Sequence, residues 1–240
     1  MIIDYTKNIG ESMQDVIDRF KNEYKLDKKE RVAFAGRLDP LAFGKIRLLT
    51  GTNTKKMDEE CSHDKIYSYS VIHDFQTDTY DILGLITKTK TNFNFNNFNN
   101  LNLIFDEART ILQPYPPFSS KTVEIDGKMV RLWFATKNSM KIPELPTKEV
   151  KIFYNKKIGE KYINGKELFE LISNLVNKVK GDFRQDETIK TWEENIDKDG
   201  EYLIEDFETK ISSGGYVRSI ANSMGGVAFN ICRKEYIDGI

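Results

Sequence analysis

Cysteine and histidine are scarce in this chain, which has two of each among its 240 residues. The two cysteines, Cys61 and Cys232, lie far apart, which fits a reducing compartment. Cys61, His63 and His73 lack the spacing of zinc ligands, so we expect no metal site. Without a GxSxG motif, so few histidines give little support to a serine-hydrolase triad. The loop GxxxxGK(S/T), which binds nucleotide phosphates, is also missing.

Long apolar runs are missing as well. No stretch reaches the roughly 18 apolar residues of a transmembrane helix. Residues 1–5 lack the basic and apolar regions of a signal peptide. Because 39% of the residues are hydrophobic and 30% are charged, the composition predicts a packed core and a cytoplasmic protein without a membrane partner.

Neither sign of charge dominates, since 36 basic residues face 37 acidic ones and the net charge is −1. The distribution is uneven. Residues 121–166 hold eleven Lys or Arg against five Asp or Glu, and residues 182–208 hold eleven acidic residues against three basic ones. The basic segment is suited to a phosphate backbone, which needs Lys and Arg. The alternative is that both segments are solvated faces of opposite sign.

Hydrophobic periodicity predicts a mixture of strands and helices without a regular βαβ order, and therefore an α+β fold. The predicted strands cover residues 1–5, 46–49, 66–75, 150–154 and 202–212. The predicted helices cover residues 11–24, with Ser12 as the cap, 103–112, 166–180 and 216–224. Residues 92–102, rich in Asn and Phe, are interpreted as low-complexity filler, with an aromatic RNA-stacking surface as the alternative.

The most informative segment is residues 36–44, Gly-Arg-Leu-Asp-Pro-Leu-Ala-Phe-Gly. Glycine allows backbone angles that other residues avoid, and Pro40 pushes Asp39 toward an extended conformation. Together they predict a shaped loop that presents the Asp39 carboxylate in a set direction. The alternative is an ordinary Asp-Pro turn.

Two further segments accompany this loop. The first is Lys65-Ile66-Tyr67 followed by Thr-Asp-Thr-Tyr-Asp-Ile-Leu-Gly at residues 77–84, and the second is Gly-Tyr-Val-Arg-Ser at residues 215–219. With residues 36–44 they resemble, in the same order, the motifs of TruB-type pseudouridine synthases, which isomerise a uridine in tRNA. The resemblance implies a mixed or antiparallel sheet core with flanking helices.

The resemblance also implies roles for individual residues. Asp39 matches the catalytic aspartate, Tyr67 a tyrosine that stacks on the base, and Arg218 the arginine that pairs with the aspartate. Tyr216 matches a tyrosine of the base pocket. Cys232 lies where the family places an apolar pocket residue. A tyrosine suits a flipped base because it offers a flat apolar face and a hydroxyl.

Residues 116–128, with Pro-Pro-Phe-Ser-Ser-Lys and then Gly-Lys, resemble the start of the family's mobile RNA-gripping loop. We expect residues 121–141 to form such a basic insertion. Its candidate phosphate-binding residues are Lys121, Lys128, Arg131 and Lys137.

The chain departs from the family pattern near Asp39. Phe34 replaces a histidine that helps to handle RNA, and Arg37 replaces a small residue and adds a positive charge, which makes it a candidate substrate-binding residue. Lys7 and Gly10 keep part of an N-terminal motif, for which structural and functional roles are equally plausible. Because the chain stops at Ile240, soon after the last motif, we expect a single catalytic domain over residues 1–240 without a C-terminal accessory RNA-binding domain.

The sequence thus predicts a monomeric enzyme that converts a uridine of RNA to pseudouridine, with the T-loop uridine at position 55 of tRNA as the expected target and the T-arm as partner. The base must be flipped into a pocket. Asp39 then serves as nucleophile or base, and no cofactor is needed because no electrons or external groups move. Two alternatives remain: a non-catalytic RNA-binding or tRNA-folding chaperone, and a synthase for other RNA targets.

Overall fold

The computed structural model describes residues 1–89, 103–142 and 144–237. Within this part of the chain there are twelve strands: β1 (Ile2–Lys7), β2 (Val32–Ala35), β3 (Phe43–Thr50), β4 (Asp64–His73), β5 (Phe75–Thr77), β6 (Ile86–Thr89), β7 (Arg109–Pro114), β8 (Thr122–Ile125), β9 (Lys128–Arg131), β10 (Thr147–Asn164), β11 (Glu201–Ile211) and β12 (Gly226–Ile237). The described helices are α1 (Met13–Glu23), α2 (Met57–Ser62), α3 (Leu132–Lys137), α4 (Gly165–Val176), α5 (Gln185–Asn195) and α6 (Val217–Ser223), and a 3-10 helix (Gly51–Lys56) precedes α2.

One sheet of eight strands runs through the molecule in the order β1-β3-β12-β4-β11-β10-β7, and β2 pairs with β3. Its neighbours are antiparallel except β3 and β12, which are parallel. The predicted α+β fold with a mixed sheet is therefore confirmed. The two smaller sheets are the β5–β6 pair and the β8–β9 hairpin.

Apolar side chains cover both faces of this sheet because successive residues of a strand point to opposite sides. Tyr69 and Val71 of β4 pack with Phe207 and α6 on one face. Ile72 joins α4 and α5 on the other face, where Trp192 is fully buried. The Trp192 indole N–H donates to the carbonyl of Ile82 at 3.1 Å. This bond satisfies the buried N–H and holds α5 against the connection between β5 and β6.

Helix α1 follows the local rules that its sequence predicts. Ser12 accepts a hydrogen bond from the amide of Asp15, and the Asp15 side chain accepts one from the amide of Ser12, which completes a capping box. Val16 and Phe20 are buried against Ile46 and Leu48 of β3. The predicted helix and its cap are both confirmed.

The prediction of a helix over residues 103–112 is wrong. Residues 109–114 form the edge strand β7, whose six residues pair with β10 from Thr147 to Ile152. Phe105 bridges Asn155 farther along β10, with backbone hydrogen bonds of 2.9 Å in both directions. A partner strand about forty residues away in sequence overrides the local apolar spacing, because it satisfies the backbone groups of β7.

Residues 121–141, expected as a loop, contain the hairpin β8–β9 and the helix α3. Asp126 and Gly127 form the hairpin turn, both with positive φ, and an Asp-Gly pair is the usual sequence for such a turn. Residues 92–102, interpreted as filler, lie outside the described residues.

Candidate active site

Asp39 lies in the connection between β2 and β3, and glycines at both ends of this connection give it its shape. Gly36 and Gly44 have φ of 76° and 101°. A Cβ at Gly44 would lie 2.3 Å from the carbonyl oxygen of Arg233, so β12 approaches too closely for any side chain. The amide of Ala42 closes the turn by donating to the Asp39 carbonyl at 3.1 Å.

Two buried cations hold this loop from opposite sides. The Lys7 ammonium donates to the carbonyls of Pro40 at 3.0 Å and Ala42 at 2.7 Å. The Arg233 guanidinium donates to the carbonyls of Gly36 at 3.0 Å and Arg37 at 3.3 Å. Burial lowers the pKa of Lys7 to about 8. The position of the Asp39 carboxylate therefore depends on residues far from it in sequence.

The Asp39 carboxylate faces the guanidinium of Arg218. Nε of Arg218 lies 2.8 Å from Oδ2 of Asp39 as an ion pair without hydrogen-bond geometry, and Nη2 donates to Oδ1 at 3.1 Å. Nη1 of Arg218 donates to the carbonyl of Thr79 at 2.7 Å, and Nη2 also donates to the carbonyl of Phe118 at 3.3 Å. The arginine side chain is 4% exposed and that of Asp39 is 33% exposed, so one carboxylate is presented to the cavity by a cation that is itself buried.

A second carboxylate, Asp81, shares this arginine. Its Oδ2 lies 3.6 Å from Nε of Arg218, and its Oδ1 accepts hydrogen bonds from the Thr79 hydroxyl at 2.7 Å and the Leu83 amide at 3.0 Å. Burial raises the pKa of Asp81, while Arg218 acts in the opposite direction. For Arg218, burial lowers the pKa, but the two carboxylates outweigh it and the net shift is upward.

These groups line a cavity of about 720 Å³. Tyr67 is nearly buried there, and its hydroxyl accepts a hydrogen bond from Nε of Arg233 at 3.0 Å. The backbone of Tyr216 is held by the Gln113 side chain, with distances of 2.7 and 3.0 Å. Burial raises the pKa of the Tyr216 phenol. Both tyrosines thus line the same cavity as the exposed part of Asp39.

The structure brings six of the predicted site residues to this cavity, namely Arg37, Asp39, Tyr67, Lys137, Tyr216 and Arg218. Cys232 is not among the described residues that line the cavity, but its β12 neighbours Ile231 and Arg233 are. Because successive residues of a strand face opposite sides, Cys232 points away from the cavity. Lys121, Lys128 and Arg131 are exposed on or beside the β8–β9 hairpin, outside the described lining.

The replacement at Phe34 is connected with the one at Arg37. The Arg37 guanidinium lies 5.9 Å from the centre of the Phe34 ring, within the range of a cation–π contact. Arg37 is exposed and also lines the cavity. The chain therefore places a cation at the cavity edge, next to an aromatic ring.

Two ion pairs at the cavity join the α4–α5 connection to α3 and to the segment that follows β5. Lys137 of α3 lies 3.2 Å from Asp182, and Arg184 lies 2.9 Å from Asp78. Arg184 also lies over the Phe118 ring at 4.7 Å. Sequence reasoning missed Asp81, Arg184 and Arg233 as site residues. Asp81 carried a signal as the second aspartate of residues 77–84, whereas Arg184 carried none.

Chemically, the cavity offers a carboxylate next to a buried guanidinium and a flat aromatic face, which suits nucleophilic or base chemistry on a planar ligand. Within residues 1–89, 103–142 and 144–237, no group of three His, Cys, Asp or Glu is arranged to hold a metal ion. No helix of this described part is long and apolar enough to span a bilayer.

Residues 23–162 match the sequence model of the family described as TruB family pseudouridylate synthase (N terminal domain). Among curated relatives, tRNA pseudouridine synthase B of Clostridioides difficile is 30% identical over 155 residues, which are 63% of this chain and 50% of that protein. The enzyme of the same name from Chloroherpeton thalassium is 28% identical over 240 residues, or 98% of this chain and 86% of that protein.

A solved structure of a Cbf5-Nop10-Gar1 complex contains a chain with a similar fold. The TM-score is 0.51 at 13% identity, and the match covers 98% of this chain and 48% of that chain. The chain thus spans about half the length of this structural neighbour and of the Clostridioides difficile relative.

Proposed function

Because this chain belongs to the TruB family of pseudouridylate synthases, we propose that it converts a uridine of tRNA to pseudouridine. The observation that carries the proposal is the Asp39 carboxylate, paired with the buried Arg218 and partly exposed in a cavity that Tyr67 and Tyr216 also line. Relatives over 98% and 63% of the chain carry the name tRNA pseudouridine synthase B, which supports tRNA as the substrate.

The proposed reaction breaks the bond between C1′ of the ribose and N1 of the uracil and forms a bond between C1′ and C5. The C5 proton is lost and N1 is protonated, so atoms and electrons balance without a co-reactant. Asp39 acts on the nucleotide as nucleophile or base, and both roles need an ionised carboxylate. Arg218 contacts the Asp39 carboxylate through a charge-assisted hydrogen bond.

The target base has to leave its stack to reach Asp39, at a cost of a few kcal/mol. Tyr67 would stack on the flipped base, and Tyr216 would bound the same space. We propose the T-loop uridine at position 55 as the target. The exposed cations Lys121, Lys128, Arg131 and Lys137 would contact phosphates of the T-arm.

We further propose that residues 1–240 act as one domain, as a monomer in the cytoplasm. Support comes from the eight-stranded sheet, which includes strands from β1 to β12 and so joins both ends of the described chain. Sedimentation of the purified protein should give a mass near the 27.8 kDa of one chain, and a dimer would contradict the monomer.

The decisive experiment is carbodiimide mapping of pseudouridine in a T-arm RNA after treatment with the protein or with Asp39→Asn. We expect the parent to modify the loop uridine and the variant to lose turnover, while its affinity for RNA stays within roughly tenfold, because phosphate contacts lie elsewhere. Asp58→Asn, at an exposed position on α2, is the matched control and should keep full activity.

Substantial turnover by the purified Asp39→Asn variant would contradict the assignment of Asp39. A parent protein that binds the T-arm without modifying it would instead favour the non-catalytic RNA chaperone.

A further inference from the structure

Ser119 has a buried hydroxyl that the folded chain leaves without a partner. The residue is 4% exposed, and its Oγ forms no hydrogen bond with any described residue. Ser119 also lines the cavity that contains Asp39. Such groups are rare because burying a hydroxyl without a hydrogen bond destabilises the fold.

The backbone around Ser119 is held firmly next to the site. Its carbonyl accepts a hydrogen bond from the Trp133 amide at 3.1 Å, at the start of α3. The preceding carbonyl, of Phe118, accepts one from Nη2 of Arg218 at 3.3 Å, and this same nitrogen donates to Asp39. Ser119 therefore directly follows Phe118, whose carbonyl contacts the arginine of the Asp39–Arg218 pair.

A second hydroxyl without a partner lies away from the cavity and provides a comparison for Ser119. Ser173 of α4 also has a buried Oγ without a hydrogen bond to any described residue. Ser173 is not among the described lining residues of the cavity, so a ligand in the cavity would satisfy Ser119 and not Ser173.

We infer that the Ser119 hydroxyl binds the target nucleotide, through a hydrogen bond to an oxygen of its base or of its ribose. This inference rests on the proposed function. A serine hydroxyl donates one hydrogen bond and accepts others, and both the uracil carbonyls and the ribose 2′-hydroxyl match it. The unsatisfied group thus reduces stability in the free protein and increases affinity in the complex.

The test compares Ser119→Ala with Ser173→Ala. Both variants should unfold at the parent's temperature or slightly above it, because each removes an unsatisfied buried polar atom. Only Ser119→Ala should lose kcat/KM on the T-arm, by about five- to tenfold, the usual value of one hydrogen bond. The same assay on RNA with 2′-deoxyuridine at the target separates the two sources of the oxygen.

If the ribose hydroxyl is the partner, the loss disappears on the deoxy substrate, and if the base is the partner, the loss remains. Unchanged kcat/KM for Ser119→Ala, in a preparation whose parent is active, would overturn the inference and leave the proposed function intact. A clearly lowered unfolding temperature, or an equal loss in Ser173→Ala, would overturn it as well. An inactive parent would contradict the proposed function itself.

Discussion

At the residue scale, the geometry of the site depends on the several oxygen atoms that the Arg218 guanidinium contacts at once. One planar guanidinium contacts both oxygens of Asp39, the carbonyls of Thr79 and Phe118, and the edge of Asp81. Lysine keeps the charge but has a single nitrogen without the planar fork. The geometry of Asp39 therefore requires arginine rather than a positive charge alone.

Arg218→Lys should reduce the single-turnover rate on a T-arm RNA by more than tenfold, which corresponds to about 1.4 kcal/mol. The reason is that one ammonium cannot hold Asp39 while it also satisfies both carbonyls. Arg37→Lys is the matched control, since Arg37 lines the same cavity but is exposed, and its loss should be smaller. Equal rates for the parent and Arg218→Lys would show that the pair is not needed.

At the element scale, the hairpin β8–β9 and the helix α3 form a unit that carries positive charge beside the cavity. Lys128 is exposed, Lys121 lies over the Tyr115 ring at 5.2 Å, and Arg131 donates to the Ser120 carbonyl at 2.7 Å. Lys137 pairs with Asp182, but both side chains are well exposed. A pair of this kind contributes little to stability, so a phosphate can replace Asp182 at small cost.

Changing Lys121, Lys128, Arg131 and Lys137 together to Gln should weaken T-arm binding and flatten the plot of log affinity against log salt. Each lost phosphate contact should change the slope by about 0.7 to 0.9. The control replaces Lys28, Lys29, Lys178 and Lys190, four exposed lysines outside residues 121–166 and outside the described lining of the cavity, and should change both quantities less. If the first variant binds with the parent's affinity and slope, the basic segment is a solvated face.

At the scale of the whole molecule, two buried lysines hold backbone carbonyls of other segments. Lys7 contacts a loop that is distant in sequence, and Lys65 contacts the end of helix α2. Lys7 reaches from β1 to the loop of Asp39, and Lys65 donates from β4 to the carbonyls of Cys61 at 2.8 Å and His63 at 2.5 Å. Burial lowers the pKa of each to about 8, and Arg233 adds to the effect at Lys65. Their ordinary value in an unfolded chain is 10.5.

Between pH 8 and 10 the unfolded chain therefore binds more protons at these lysines than the folded protein, and the free energy of unfolding should rise with pH. Each lysine contributes at most about 1.4 kcal/mol per pH unit. Urea denaturation at pH 7.5, 8.5 and 9.5 measures this slope.

The double variant Lys7→Met, Lys65→Met should lose most of the rise, whereas Lys28→Met, Lys29→Met, at exposed positions, should keep it. A parent whose stability does not increase over this range would contradict the low pKa values.

Local chemistry made several elements predictable from sequence. The Ser12–Asp15 capping box lies within four residues, and the alternation of β4 places Tyr67, Tyr69 and Val71 toward one face. By contrast, the strand β7 and the helix α5 were not predicted. Apolar spacing in a short segment does not distinguish a helix from a strand, and β7 is decided by its pairing with β10.

By itself, the sequence predicted the α+β class and a shaped loop at residues 36–44, because glycine, proline and strand alternation act over a few residues. It indicated the family through the resemblance of its motifs. The pairing of Arg218 with Asp39 was implied by the resemblance, whereas only the tertiary structure decided which other side chains hold the Asp39 loop. Lys7 is brought to this loop by the pairing of β1 with β3, and the register of β12 directs Arg233 rather than Cys232 toward the cavity. The unpartnered hydroxyl of Ser119 was likewise decided by the tertiary structure, because whether a buried polar group has a partner depends on the packing of the whole chain.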